Sequence, residues 1–227
     1  MGSTHGFADD LLALLARSPI CRDQLEEAHL GDSKPSPTGL RTLRQLTALT
    51  SFSAWTELAG AHAYAELVAS MPRLRDFDPF GWQPRLTGAE LAAFLAAPAV
   101  AATKLRTVHL QARESADLER VAAAPSLSSL EALTISTRSI PHDNLTRGFE
   151  AIAASPHLAN LRELRVPFAG TNVVLKRLAE ARFADRLERL DISYSPTTEV
   201  GVNVILHAFP MLEDLDIIQC GALQASA

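Results

Sequence analysis

The stretch Leu187-Glu-Arg-Leu190-Asp-Ile192 carries the pattern on which the fold of this 227-residue chain depends. Its last two apolar residues alternate with polar ones, and this period of two is typical of a strand with one buried face. Four further copies recur at intervals of 25–31 residues: Leu105-Arg-Thr-Val108-His-Leu110, Leu130-Glu-Ala-Leu133-Thr-Ile135, Leu161-Arg-Glu-Leu164-Arg-Val166 and Leu212-Glu-Asp-Leu215-Asp-Ile217. The five copies predict a series of similar strands.

Two weaker copies precede the five clear ones. Leu74-Arg-Asp-Phe77-Asp-Pro79 keeps the first and fourth apolar positions but ends on proline. Leu43-Arg-Gln-Leu46-Thr-Ala48 fits less well, and the same pattern can also be read shifted to Leu46 and Leu49. The sequence therefore predicts about six to seven strand-containing units.

Segments rich in alanine and leucine lie between the motifs and have helical spacing. They are residues 56–70, 88–97, 115–123, 145–154, 173–182 and 199–208. Three of these segments are followed by Pro98, Pro125 or Pro156, which cannot continue a helix. Strands that alternate with helices predict an α/β chain with parallel strands and outer helices, in which each unit needs its neighbours to bury its apolar face.

The motif copies and the helices between them resemble leucine-rich repeats of the ribonuclease-inhibitor type over about residues 43–220. This resemblance implies a solenoid, a horseshoe segment with parallel strands on its concave face and helices on its convex face. Members of that family act mostly as protein-binding surfaces. The family's Asn or Cys position shortly after each strand holds Arg113, Arg138, Ala169, Ser195 and Cys220 here. Only Cys220 and, loosely, Ser195 conform, so either other hydrogen bonds join the turns or the ladder is weak.

The N-terminal residues differ from the rest of the chain. Residues 7–16 and 22–29 have helical patterns, and residues 31–40 are rich in turn-forming residues. We expect a helical N-terminal cap over residues 1–30, a linker over 31–40 and the solenoid over 41–227.

Composition narrows the class of function. The net charge of −5 and the lack of a Lys/Arg run argue against nucleic acid and anionic membranes as partners. The two cysteines, Cys21 and Cys220, lie far apart in the sequence and predict neither a disulfide framework nor a zinc site. The first residues lack the basic n-region of a signal peptide, and no stretch approaches 18 apolar residues, so we expect neither a signal peptide nor a membrane span. We expect a cytoplasmic chain without cofactor or metal, monomeric or weakly homo-oligomeric.

Polar residues that flank the buried strand positions should line the concave face in rows about 4.8 Å apart. In these rows Glu163, Arg189 and Asp214 would form an alternating charge ladder, and Arg165 would lie beside Asp191. The residues predicted to bind a partner are Asp76, Asp78, Phe80, Trp82, His109, Gln111, Thr134, Glu163, Arg165, Arg189, Asp191, Asp214 and Asp216. The alternative is a solvated face whose charges neutralise one another.

Aromatic residues cluster near the N-terminal third of the chain. Phe77, Phe80 and Trp82 lie close together, with Trp55 and Tyr64 upstream. Exposed, they would form a contact centre for a partner. Buried, they would seal the fold where the motifs become irregular, and Phe77 is expected in the core in either case.

Catalytic motifs are not recognisable in the sequence. His142-Asp143 is better read as a helix-capping turn than as metal ligands, and His109 with Asp78 forms no recognisable dyad. The predicted function is therefore a non-enzymatic scaffold for protein–protein interaction. The alternatives are a regulator or enzyme with loop-borne residues and an all-helical, armadillo-like binding protein.

Overall fold

The structure, a computed structural model, describes residues 5–31, 33, 35–54, 60–78, 86, 88–137 and 144–220. The chain divides into two compact units, Met1–His109 and Leu110–Ala227. Each unit is described by itself.

The N-terminal unit alternates helices and short strands. Its described elements are α1 (His5–Arg17), α2 (Pro19–Gln24), β1 (Glu27–His29), α3 (Pro37–Thr42), β2 (Ser51–Ser53), α4 (Gly60–Ala69), β3 (Asp76–Asp78), α5 (Gly88–Ala96), α6 (Pro98–Thr103) and β4 (Thr107–Gln111), whose last two residues belong to the C-terminal unit.

The C-terminal unit continues the alternation. Its further described elements are α7 (Ser115–Ala122), β5 (Ala132–Ser136), α8 (Thr146–Ala154), β6 (Glu163–Arg165), α9 (Asn172–Leu178), β7 (Arg189–Asp191), α10 (Glu199–Ala208) and β8 (Asp214–Asp216).

The eight strands form one open sheet in chain order, from β1 to β8. Every strand pair described within a unit is parallel. The predicted α/β class with parallel strands is confirmed.

The fourth motif position forms a continuous row of neighbours in each unit. The row is Ala28, Phe52, Phe77 and Val108 in the N-terminal unit, and Leu133, Leu164, Leu190 and Leu215 in the C-terminal unit. All of these except the half-buried Leu215 are buried. Each large apolar side chain buried in this way contributes about 1.5–3 kcal/mol, so the rows fix the register.

The predicted helical stretch over residues 22–29 is wrong in its second half. Helix α2 ends at Gln24, and β1 pairs with β2 instead. The segment Leu25-Glu-Glu-Ala28-His-Leu30 is a further motif copy, in which alanine takes the buried fourth position. The small alanine concealed the strand periodicity. Residues 27–29 thus belong to the sheet, within the segment predicted as a helical cap.

The weakest predicted copy is also displaced. The strand lies at Ser51–Ser53, within Leu49-Thr-Ser-Phe52-Ser-Ala54, and does not follow from a motif beginning at Leu43 or Leu46. Leu43 begins a 3-10 turn, and both it and Leu46 are buried beneath the strand that follows. Helix α3 likewise occupies the second half of the predicted linker. Buried Phe52 and Ala54 decide the register where the sequence pattern offered two leucine frames.

Apart from residues 22–29, the helical predictions agree with the observed helices to within a few residues over the described segments. Two short helices were not predicted: α3, which begins in the expected linker, and α6. Helix α6 lies between α5 and β4. It begins at Pro98 and adds about two turns before β4, which accounts for the long interval between Leu74 and Leu105. Proline ends α5 and then supplies the first residue of the next helix, where its missing N–H is harmless.

An aromatic group fills the core of the N-terminal unit. Tyr64 and Phe77 are buried, as is Phe94 of α5. The Phe94 ring packs edge-on against Tyr64 at 6.4 Å and stacks on Phe77 at 6.2 Å. The prediction that Phe77 lies in the core is confirmed. Trp55, Phe80 and Trp82 lie outside the described residues, as do His142 and Asp143.

The turns after the C-terminal strands are joined by side-chain hydrogen bonds. Ser195 Oγ accepts from Gly170 N at 2.8 Å, and Cys220 Sγ donates to Ile192 O at 3.4 Å. Thr137 Oγ1 donates to Pro167 O at 3.2 Å, one residue before the position that Arg138 takes in the family pattern. Side chains of serine, cysteine and threonine therefore join neighbouring turns among the described residues.

Asp117 is a buried carboxylate at the first turn of α7. Its Oδ2 accepts hydrogen bonds from Arg113 N and Glu114 N, and its Oδ1 lies 2.9 Å from Arg120 Nη1. These bonds satisfy backbone donors that the helix leaves free. The carboxylate therefore has a structural role.

None of the helices among the described residues is long and apolar enough to cross a membrane.

Gly148 tests the packing of α8 against α7. A Cβ at this position would lie 2.5 Å from Leu118 Cδ1 and 2.7 Å from Leu118 Cβ. We expect Gly148→Ala to lower the free energy of unfolding by about 1–3 kcal/mol, since overpacking displaces well-packed atoms. Denaturant unfolding followed by circular dichroism measures this change.

Gly6→Ala is the matched control, because a Cβ there meets no atom within 4 Å. Alanine favours a helix over glycine, so this variant should be as stable as the wild type or slightly more stable. Equal destabilisation by the two substitutions would contradict the packing described for α7 and α8.

The two thiols should react at very different rates. Burial raises the pKa of the Cys220 thiol, whereas Cys21 is partly exposed. Because the thiolate is the nucleophile, iodoacetamide at about pH 8 should modify Cys21 first and Cys220 only after unfolding. Mass spectrometry of native and denatured samples measures both rates. Comparable native rates would show that the turn around Cys220 is open.

Candidate functional site

The side chains that alternate with the buried row form a second, polar surface, which we call the strand face. In the C-terminal unit, register places Ala132, Glu163, Arg189 and Asp214 in one line and Thr134, Arg165, Asp191 and Asp216 in the next. These are the neighbours that the sequence predicts. The parallel strands thus bring together charged residues that are separated by about 25 positions in the chain.

Glu163 forms ion pairs with two arginines of the strand face. Its Oε1 lies 2.5 Å from Arg165 Nε, and its Oε2 lies 3.4 Å from Arg189 Nη1. The Glu163 side chain is only 19% exposed, while both arginines are more than half exposed. Arg165 therefore pairs along its own strand, although register places it beside Asp191. The predicted ladder forms an ion pair between Glu163 and Arg189 only.

Three carboxylates of the strand face lie on β7 and β8, those of Asp191, Asp214 and Asp216. Asp191 Oδ1 accepts from Ser193 N at 2.8 Å, and Asp216 Oδ1 accepts from Ser193 Oγ at 2.8 Å and from Ile218 N at 3.1 Å. Asp214 is exposed. Among the described residues, none of the three aspartates forms an ion pair with Lys, Arg or His. Neutral donors bind the carboxylates of Asp191 and Asp216.

A shallow depression of about 400 Å³ lies over β6, β7 and β8. Charged and apolar residues line it together, including Arg165, Arg189, Asp191, Asp214, Asp216 and Ile218. Ile218 is 58% exposed, so it is available for contact beside the charged groups. The depression therefore offers apolar and charged side chains together, as protein interfaces do.

Two aromatic residues lie at the carboxyl ends of β6 and β7. Phe168 and Tyr194 both have left-handed backbones, with φ of 68° and 59°, and their rings stack at 5.0 Å. Sheet-like hydrogen bonds hold them there, from Phe168 N to Ser193 O and from Tyr194 N to Ile218 O. Tyr194 is 46% exposed. Sequence reasoning missed this pair, because aromatic residues are uncommon in this backbone conformation.

The strand face of the N-terminal unit is acidic and contains two histidines. Asp76 and Asp78 lie on β3 as predicted, and His109 Nδ1 lies 3.4 Å from Asp78 Oδ2. The rows predicted from the sequence place Asp78 beside His109. Sequence reasoning missed Glu27, His29, Ser51 and Ser53, because their strands were assigned to other segments.

Ser53, His29 and Glu27 form a short polar chain across β1 and β2. Ser53 Oγ lies 2.8 Å from His29 Nδ1, and His29 Nε2 lies 3.4 Å from Glu27 Oε2. The order resembles a nucleophile, a base and a carboxylate. However, the histidine and glutamate side chains are 55% and 70% exposed, and catalysis by such groups relies on donors held out of water. The contacts serve as a cross-strand network.

The remaining predicted residues have mixed placements. Thr134 is half-buried on β5, and Gln111 ends β4 with its Oε1 buried and without a hydrogen-bond partner among the described residues. Phe80 and Trp82 lie outside the described part of the chain. Within that part, no group of three or more His, Cys, Asp and Glu side chains is placed to hold a metal ion.

Comparison with known proteins gives no matching family model and no curated protein of significant sequence similarity.

Proposed function

We propose that this chain is an interaction module of the leucine-rich-repeat kind, and that its strand face binds another protein. The finer architecture in this proposal is a solenoid whose concave side carries the strand face. The in-register motif copies and the alternation of strand and helix support it. The observation that carries the functional proposal is the depression over β6, β7 and β8, with its three aspartates and exposed Ile218.

Charge indicates the kind of partner. In the C-terminal unit, Glu163 already engages both arginines, while Asp191, Asp214 and Asp216 make no ion pair among the described residues. In the N-terminal unit, Glu27, Asp76 and Asp78 add further negative charge. A partner surface that presents Arg or Lys beside an apolar residue is complementary to such a face. Complementary charge gives specificity and speeds association more than it adds affinity.

The test begins with ligands selected from a phage-displayed peptide library against the immobilised full chain. Asp214→Lys reverses a charge on the strand face, at a residue whose side chain forms no hydrogen bond or ion pair among the described residues, although its backbone N donates to Glu188 O. We expect the selected peptides to be enriched in Arg and Lys and to bind this variant about tenfold or more weakly, because like charges meet at the contact. Fluorescence anisotropy measures the affinities, which should also fall with rising salt.

Glu213→Lys is the matched control. It makes the same charge change one position earlier, just before β8 and outside the two lines of the strand face. We expect binding within about twofold of the wild type, since long-range charge effects are screened. Peptides that bind both variants equally well, or a selection without basic residues, would contradict the proposal.

A further inference from the structure

Helix α1 exposes an apolar stripe that its own unit leaves uncovered. Ala8, Leu12 and Ala16 are buried and hold the helix against the unit. Phe7 and Leu14, seven residues apart, are 72% and 66% exposed, with the partly buried Leu11 between them. Residues at i, i+4 and i+7 share one helix face, so these three side chains form a continuous stripe distinct from the buried face.

A further exposed apolar side chain follows the helix. Ile20, in the short helix α2 that packs on α1, is 68% exposed. Soluble proteins seldom leave several large apolar side chains exposed together without using them for contact. We call Phe7, Leu11, Leu14 and Ile20 the α1 stripe.

Two opposite charges flank the α1 stripe along one edge. Asp10 and Arg17 are both exposed, and neither forms an ion pair among the described residues. They are seven residues apart, so they lie on the same side of the helix, about two turns from each other. One end of the edge is therefore negative and the other positive.

We propose that the α1 stripe binds a second copy of this chain through an antiparallel, two-fold symmetric contact. Positions 10 and 17 of α1 are symmetric about the point between Ala13 and Leu14. In such a dimer, Asp10 of each copy faces Arg17 of the other, and Phe7 of each extends past Arg17 towards α2 of the other. Leu14 lies beside the symmetry axis and contacts its own counterpart. A two-fold contact requires this kind of self-complementary patch.

We infer a second copy as the partner because Asp10 and Arg17 give one edge of α1 opposite charges at its two ends. The charges of the edge complement each other only when the helix is reversed. An unrelated partner would not require this symmetry within one helix. The α1 stripe is formed by helices and the strand face by strands. Failure of the dimer proposal would therefore leave the partner-binding proposal unaffected, and the reverse also holds.

Analytical ultracentrifugation of the full chain tests the dimer over about a hundredfold range of concentration, since self-association depends on concentration by mass action. We expect a monomer–dimer equilibrium whose dissociation constant rises at least about tenfold in Leu14→Asp, because the substituted carboxylate would be buried at the axis. Leu206→Asp, at a residue of α10 that is 65% exposed, is the matched control and should leave the constant unchanged. Circular dichroism verifies that each variant is folded.

Charge exchange tests the antiparallel geometry. Asp10→Arg and Arg17→Asp each place like charges at two symmetry-related contacts, and each should weaken the dimer about three- to tenfold. The double variant restores opposite charges and should recover the wild-type constant. A chain that stays monomeric, a dimer that Leu14→Asp does not weaken, or a double variant no better than the single ones would overturn the proposal.

Discussion

The contact between neighbouring side chains of the buried rows is the interaction on which the rest of the structure depends. A parallel strand of three to five residues cannot bury its apolar residues alone, and each row supplies the neighbours that it lacks. Leu164, for example, lies between Leu133 and Leu190 and is fully buried. Because the side-chain period of a strand is two, a slip of one residue would turn charged residues into the core. The energy of burial therefore fixes the register.

The same register determines the chemistry of the strand face. Once Leu190 is buried, Arg189 and Asp191 must point to the other surface, and their neighbours on β6 and β8 follow. The register of the strands alone therefore brings these charged side chains together on one surface. What register does not determine is which charges pair. Arg165 contacts Glu163 two residues away on its own strand, since long side chains reach several acceptors at little cost.

The sequence predicted the fold best where leucine or another large aliphatic residue fills both buried positions. From Leu105 onward, all five motif copies coincide with strands. Upstream, Ala28, Phe52 and Ala54 occupy those positions, and the strands were missed or displaced. Alanine favours helices over strands, so only the neighbouring strand reveals its role here. The contacts made by Asp117 and the stacked ring of Tyr194 depend on tertiary structure, and no local pattern encodes them.

Disulfide formation between engineered cysteines across β7 and β8 tests the central claim about register most directly, in a chain that also carries Cys21→Ser. Arg189→Cys with Asp214→Cys places the two thiols on register partners, about 4.8 Å apart at Cα, within reach of a disulfide. Arg189→Cys with Asp216→Cys offsets them by two residues, beyond that reach. The account predicts rapid oxidation of the first pair and little of the second. Preferential oxidation of the offset pair would contradict it.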